Sequence, residues 1–208
     1  MTARKRDNSA AAFKVELRNT AMQETLDPLI LETHGGEGLM FTHCYAKAKR
    51  PGWVCEKDGN KCSELVRQRP DWHVFECESE ALLEGCPTAF KGVNFVDIDP
   101  WGNPWEHMQA LFVPERRLAD RLQLVVHDGC RRFLAISKGG GRDQRWRQGF
   151  FLMLSQRYGT NLRDDYLEIC QVSVAELAKK CGYRMAGWAG QYTGHDSHST
   201  HYWATLLR

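Results

Sequence analysis

The sequence contains no run approaching eighteen apolar residues, so no part of it reads as a membrane-spanning helix. Residues 1–12 are polar and basic and lack the apolar centre of a secretory signal, so the expected location is the cytoplasm. Neither sign of charge is in marked excess. With 28 Lys and Arg against 26 Asp and Glu the net charge is +2, too small to announce a bulk phosphate-binding surface, so a case for nucleic acid must rest on local patches. Cysteine is plentiful, yet Cys44, Cys55, Cys62, Cys77, Cys86, Cys130, Cys170 and Cys181 form no C-x-x-C pair and no Cys/His zinc spacing. Buried reduced thiols are expected, and no bound metal. Also missing are an internal repeat and the G-x-G-x-x-G of dinucleotide binding.

What is present fits one α/β domain. The 208 residues are 42% hydrophobic and 26% charged, the balance of an ordinary globular chain with a single core. Residues 1–12 read as a flexible basic arm and 13–208 as the folded domain. The apolar positions Val15, Leu17, Met22 and Leu26 predict a helix from Lys14 to Leu26, ended by Asp27-Pro28. Leu29 to Glu32 reads as a first strand, then a Gly-rich turn and a helix-compatible stretch from Leu39 to Lys47. Strands follow at Trp53–Glu56, His73–Glu76, Gly92–Ile98 and Leu122–His127. Helical stretches at Asn60–Arg69, Ser79–Leu83, Trp105–Phe112 and Arg116–Arg121 separate them. A long helix, Asp164 to Cys181, leads to two strand-like runs, Tyr183–Tyr192 and His201–Leu207, joined by a turn-rich segment. This pattern predicts right-handed crossovers, a mostly parallel sheet covered on both faces, and a closing antiparallel hairpin at its edge. Lys138 to Arg142, with three consecutive glycines, is the clearest flexible loop.

Five helix-separated strands followed by a helix and a hairpin resemble the Rossmann-like methyltransferases, whose seven-stranded, mostly parallel sheet ends in an antiparallel pair with helices on both faces. The resemblance spans about residues 14 to 208 and implies S-adenosyl-L-methionine as cofactor. Gly35, Gly36 and Gly38, in the turn that also carries His34, allow close backbone approach and aim helix amides into a crevice at the carboxyl end of the sheet. Glu32, ending the first strand, matches the acidic position that the family uses toward the cofactor's amino-acid portion. Glu56, ending the second strand, has the two acceptor oxygens that a pair of ribose hydroxyls requires. Cys77 and Glu78, after the third strand, stand near the expected adenine, with the register between them open.

The segment Asp97-Ile98-Asp99-Pro100-Trp101-Gly102-Asn103-Pro104 follows the most convincing strand. An aromatic after Asp-Pro resembles the D-P-P-Y/F/W motif of amino-group methyltransferases, and D-I-D-P-W-G-N-P is similar to the D-I-D-P-F-G-S-P of tRNA guanine-N2 dimethyltransferases. The match to that subfamily is local, since the following region diverges. An exocyclic amine is a poor nucleophile because its lone pair is delocalised into the base. The Asp99 carboxylate and the Pro100 carbonyl would hold its hydrogens and aim the lone pair, and Trp101 would stack on the base. Asp97 fits a role supporting the loop or the cofactor. As a purely structural unit, the same residues would cap and stiffen a turn while the tryptophans cover the core.

Arg131, Arg132, Lys138, Arg142, Arg145 and Arg147, with Trp146 among them, suit phosphate contact, and equally a solvated face. Arg142, Arg145 and Arg147 are the candidate substrate contacts; Arg4, Lys5 and Arg6 would add nonspecific affinity. His195, His198 and His201 repeat every three residues, but a turn followed by a strand would scatter them, so no metal is expected. The expected function is methylation of an exocyclic amino group of RNA or DNA. A small-molecule or protein acceptor is the alternative, and a cofactor-binding module without turnover the second.

Overall fold

The computed structural model describes residues 10–86, 88–131, 157, 163–194 and 198–208. Seven strands, β1 (Ile30–Glu32), β2 (Trp53–Glu56), β3 (His73–Glu76), β4 (Phe95–Ile98), β5 (Arg121–Asp128), β6 (Arg184–Thr193) and β7 (Ser199–Leu207), form one sheet in the order β3-β2-β1-β4-β5-β7-β6. The first five are parallel; β7 returns antiparallel between β5 and β6. The expected seven-stranded sheet with its closing antiparallel hairpin is therefore present. It is the fold of the Rossmann-like methyltransferases.

Strand alternation divides the core between the two faces. On β4, Val96 and Ile98 face α3 (Ser79–Gly85), α4 (Trp105–Leu111) and α5 (Tyr166–Lys180), where Leu83, Met108, Leu111, Ile169 and Val174 complete the larger cluster. Phe95 faces the other side, where Leu17 and Ala21 of α1 (Ala11–Gln23) meet Ile30, Val125 and Tyr45. The helix α2 (Gly59–Gln68) is capped by Asp58, whose carboxylate accepts from the Asn60 and Lys61 amides at 3.0 and 3.2 Å. That bond satisfies amides that a helix start leaves without intrahelical partners.

Three local expectations are corrected. The helix read from Lys14 starts at Ala11, so the last two residues assigned to the arm are helical, and it ends at Gln23. The strand read from Gly92 starts at Phe95: Gly92 takes φ +79°, and the Asn94 side chain accepts from the Leu29 amide at 2.6 Å and donates to Leu26 and Asp27, tying a loop instead of extending a ladder. Arg116–Arg121 is not helical. The buried Arg116 guanidinium donates to the carbonyls of Leu83, Cys86, Ala110 and Leu111, binding the carboxyl ends of α3 and α4, while Ala119 pairs with the Val93 carbonyl. Four acceptors for one buried cation outweigh the helical propensity of that stretch. The stretch after the glycine turn closes as a wide π-type turn, Phe41–Tyr45, in which the Ala46 amide reaches the Phe41 carbonyl at 2.8 Å.

That wide turn and α1 are both pinned to β4 through Asp97. Arg18, with no exposed surface, donates from Nε and Nη2 to the two Asp97 oxygens at 2.8 and 2.7 Å, and the Tyr45 hydroxyl adds a bond of 2.6 Å. Replacing Arg18 with Met keeps the volume but strands a buried carboxylate, which costs about 3–5 kcal/mol. Urea denaturation should show that loss for Arg18→Met, and a smaller one for Arg18→Met combined with Asp97→Asn.

Candidate active site

The turn at residues 33–38 runs from the carboxyl end of β1 and is bonded to those of β4 and β2. Thr33 ties this turn to β4: its amide and hydroxyl both donate to the Asp97 carbonyl, at 2.9 and 3.1 Å. Gly35 donates to the Cys55 carbonyl at 2.8 Å, and a Cβ there would stand 2.5 Å from Leu65 and 2.6 Å from Val54, so only glycine lets the turn lie this close to β2 and α2. Gly36 takes φ +54° with open space where a side chain would project. Its amide donates to Glu56 at 2.8 Å, and the other Glu56 oxygen accepts from the Asp58 amide at 3.0 Å. Gly38, at φ +78°, lies beneath the Gln68 side chain.

The other candidates on this side divide by depth. Glu32 is buried and faces the guanidinium of Arg69, which lies over the Phe41 and Trp72 rings. Burial pushes the Glu32 carboxyl above the usual range, against the pull of Arg69. Its carboxylate is thus closed off from solvent and matched by a buried cation. Cys77 is half-buried beside Cys55, while exposed Glu78 meets Lys57 at 3.1 Å across the loops that follow β2 and β3. His34 packs edge-on against His107 of α4 at 4.6 Å, and His107 is bound by Ser79 at 2.8 Å. Burial, then the facing His107 ring, brings His34 down to about 3; burial brings His107 down to about 4. Both imidazoles are neutral near neutral pH.

Asp99 stands two residues beyond Asp97, on the same face as α1. Its four contacts use both oxygens: Oδ1 accepts from Lys14 Nζ at 2.7 Å and lies 2.6 Å from His127 Nδ1, and Oδ2 meets Lys14 at 2.9 Å and Arg18 at 3.0 Å. Burial alone would raise this carboxyl, but His127, Arg18 and Lys14 together hold it well below the usual range. Beyond it the chain turns sharply, Gly102 at φ +125° donating to the Pro100 carbonyl at 2.9 Å. The loop is held from below by the Gly129 amide, which donates to the Gly102 carbonyl at 2.8 Å. A Cβ at Gly129 would approach Gly102 backbone to 3.1 Å, so a side chain there would require the loop to give by a few tenths of an ångström. Trp101 is 96% exposed on this anchored loop, whereas Trp105 is buried with its Nε1 on the Tyr166 hydroxyl, itself on Asp128 at 2.9 Å.

Structure thus brings Gly35 and Gly36 to the carboxyl end of β2, on the Cys55 carbonyl and the Glu56 carboxylate, and sets Asp99, Pro100 and Trp101 on the loop that follows β4. Arg142, Arg145 and Arg147 lie outside the described residues. Arg131, read as part of the basic stretch, is instead buried, its guanidinium 3.8 Å over the Tyr192 ring and Nε on the Arg163 carbonyl. Sequence reasoning missed Lys14, Arg18, Tyr45, Arg69, His107 and His127. A signal existed for two of them: Lys14 and Arg18 are four apart, on the helix face that buries Leu17 and Ala21, where cations need buried partners. Among the described residues no group of His, Cys, Asp or Glu side chains could hold a metal ion, and no helix is long and apolar enough to cross a membrane.

Neither a protein-family model nor a curated protein sequence matches the chain. Solved structures do. TYW2 of M. jannaschii in complex with AdoMet is 11% identical with a TM-score of 0.59, over 100% of this chain and 79% of that one. Trm1 from Pyrococcus horikoshii, with S-adenosyl-L-methionine, is 12% identical at 0.63, over 96% of this chain and 55% of that one, so the present chain spans about half its length. The plantazolicin methyltransferase BpumL, with SAH, is 11% identical at 0.60, over 98% and 86%. At such identities the likeness is one of fold.

The buried neutral histidines set an acid limit on stability. Their protonation in the folded state is depressed, so below the ordinary imidazole range the unfolded chain binds protons that the folded chain does not, and stability falls as pH falls. Urea denaturation between roughly pH 6.5 and pH 4 should show a decline of up to about 1.4 kcal/mol per pH unit for each such histidine. His107→Gln should flatten the decline.

Proposed function

We propose that the chain is an S-adenosylmethionine-dependent methyltransferase. The observation that carries this reading is the contact between the Gly36 amide and the Glu56 carboxylate, at the carboxyl end of the sheet, in a fold shared with structures solved with this cofactor or its product. The residues fit the group. Gly36 leaves open space above the turn, and Glu56 offers two oxygens that exchange backbone amides for ribose hydroxyls without a loss of hydrogen bonds. Glu32, His34, Gly35, Gly38, Cys77, Glu78 and Asp97 form the rest of the proposed cofactor side, Asp97 and Glu32 from beneath. When bound, the cofactor supplies an electrophilic methyl group on a sulfonium.

The proposed acceptor is an exocyclic amino group of a nucleic-acid base, with Asp99, Pro100 and Trp101 at the transfer position. Trp101 supports it: an indole almost fully exposed on a loop anchored at both ends is a ready surface for an unstacked base. The filled valences of Asp99 say how an amine would enter. Arg18 is inaccessible and His127 is fixed to a strand, but Lys14 sits 20% exposed at the end of a flexible stem, so it is the partner an incoming nitrogen would replace. Arg142, Arg145 and Arg147 are proposed phosphate contacts on sequence grounds. A small-molecule or protein acceptor is the second reading, supported by the low net charge and by the likeness to a plantazolicin methyltransferase.

The decisive experiment offers labelled S-adenosylmethionine with RNA, DNA, protein and metabolite pools. Label in RNA or DNA is expected; label in the other pools alone would replace the acceptor assignment, and cofactor binding with no label anywhere would leave a binding module. Glu56→Ala should weaken cofactor binding by about 1.5–3 kcal/mol for each charge-assisted bond lost. Calorimetry on the folded variant checks this, and unchanged affinity removes Glu56 from the site. Trp101→Ala should leave the melting temperature in place and cost about 1–3 kcal/mol of nucleic-acid affinity.

A further inference from the structure

We propose that His127 is the proton acceptor of the transfer reaction, oriented by Asp99 so that Nε2 is the basic nitrogen. The inference rests on the methyltransferase reading and adds a residue to it. Register brings the pair together: Ile98, the last residue of β4, lies beside Val126 in the parallel β4–β5 ladder, so the next residue of each chain segment, Asp99 just past β4 and His127 within β5, meets the other on the α1 face.

The proton positions follow from the distances. At 2.6 Å, Nδ1 and Asp99 Oδ1 must have a hydrogen between them, because two lone pairs that close would repel. Asp99 also pairs with Lys14 at 2.7 Å and with the buried Arg18 at 3.0 Å, two cations that favour its ionised form without the imidazole, so the hydrogen belongs to Nδ1. Lys14 Nζ also stands 2.9 Å from Nδ1, but an Nδ1 that already bears hydrogen cannot accept from it; the two are donors converging on one carboxylate. In the neutral ring Nε2 then holds a lone pair. It has no hydrogen-bond partner among the described residues, and the side chain keeps 18% of its surface exposed.

The other groups around the ring favour this role. His201 of β7 stacks on it at 4.4 Å with an interplanar angle of 11°, is fully buried, and has no hydrogen-bond partner at either nitrogen among the described residues. Burial, then the charges of His127 and Lys14, brings His201 down to about 2, so it stays neutral and offers a ring face, not a second cation, to an imidazolium. Asp99 lies in the plane, Lys14 and Arg18 approach from α1, and Asp128 belongs to the opposite face of β5. Asp99 and the two basic residues cannot themselves take a proton near neutral pH, whereas an imidazole can.

Methylation leaves the acceptor nitrogen with one proton too many. Its bond to carbon forms as the carbon–sulfur bond breaks with the pair kept by sulfur. The excess N–H bond then breaks with its pair left on nitrogen, one bridging water carries the proton round to Nε2, which lies on the side of the ring away from Asp99, and the imidazolium beside Asp99 later releases it to bulk water. Asp99 is on this account a positioning residue for His127 as well as the place where the amine docks.

Two measurements on the full chain test the proposal. Ring nitrogen-15 spectra, assigned by the signals missing in His127→Gln, should show neutral His127 protonated on Nδ1 and shifted toward Nε2–H in Asp99→Ala; a native ring protonated on Nε2 overturns the dyad. Single-turnover transfer of labelled methyl from S-adenosylmethionine to an unmodified RNA pool transcribed in vitro should slow in acid with the uptake of one proton. His127→Gln should be slower by about 10²–10⁴-fold and lose that dependence, with cofactor affinity within about twofold of the parent. A variant at the parent rate, or one that is slow with the pH dependence intact, overturns the role. If the native chain labels no substrate, the function reading fails instead, and the ring spectra still decide the dyad.

Discussion

Two carboxylates two residues apart on the central strand, pointing the same way into a covered face, are the constraint on which this molecule is built. Burying Asp97 beside Asp99 is unfavourable unless cations arrive with them, and Arg18 and Lys14 do, both from α1. Charge and geometry must therefore be satisfied together. If α1 shifts by one turn, the strand-end carboxylates lose their partners; if β5 shifts by one residue, His127 turns to the other face. The ion cluster registers α1, the turn at Phe41–Tyr45, β4 and β5 against one another, which apolar packing at Leu17, Ala21 and Val125 would define less sharply.

The loop at residues 99–102 inherits that rigidity. From above, Asp99 is held by three cationic or imidazole groups; from below, Gly102 is held by Gly129, and the segment that follows is locked through Cys130, Asp128, Tyr166 and Trp105. Asp128 performs on the α5 face what Asp97 performs on the α1 face, accepting from the Cys130 amide at 2.7 Å as well as from Tyr166. A tryptophan left in water on such a loop has its backbone held in place, so a planar partner would meet it with little loss of backbone entropy.

Legibility in the sequence followed the range of the interaction. The strands β2 and β3 have the bounds read for them because short apolar runs between turn residues are set by their neighbours in the chain. The glycine turn was legible for the same reason at Gly36 and Gly38, which take positive φ, whereas Gly35 is required by Val54 and Leu65 across the fold. The ion cluster was not, because Arg18 and Asp97 are 79 residues apart and Arg69 and Glu32 are 37 apart, and no local pattern marks which cation serves which carboxylate. Counting only apolar positions on α1 hid Lys14 and Arg18 in the face they actually share. His127 read as the polar end of a strand, and its pairing with Asp99 required the β4–β5 register. Arg116–Arg121 failed in the opposite sense: helix-forming residues were overruled by the carbonyls of α3 and α4 that Arg116 binds.

The two acidic residues that end β1 and β2 show how similar strand ends acquire different chemistry. Glu32 belongs to a three-residue strand buried throughout, so its carboxylate has no route to water and is matched by Arg69 beneath the turn. Glu56 ends a strand one place nearer the sheet edge, is half-buried, and among the described residues its carboxylate holds the backbone amides of Gly36 and Asp58. Glu32 is bound to a buried cation and would leave it uncompensated by moving; Glu56 would release amides that water or a ligand can reach. Exchange of partners is therefore cheap at Glu56 and costly at Glu32.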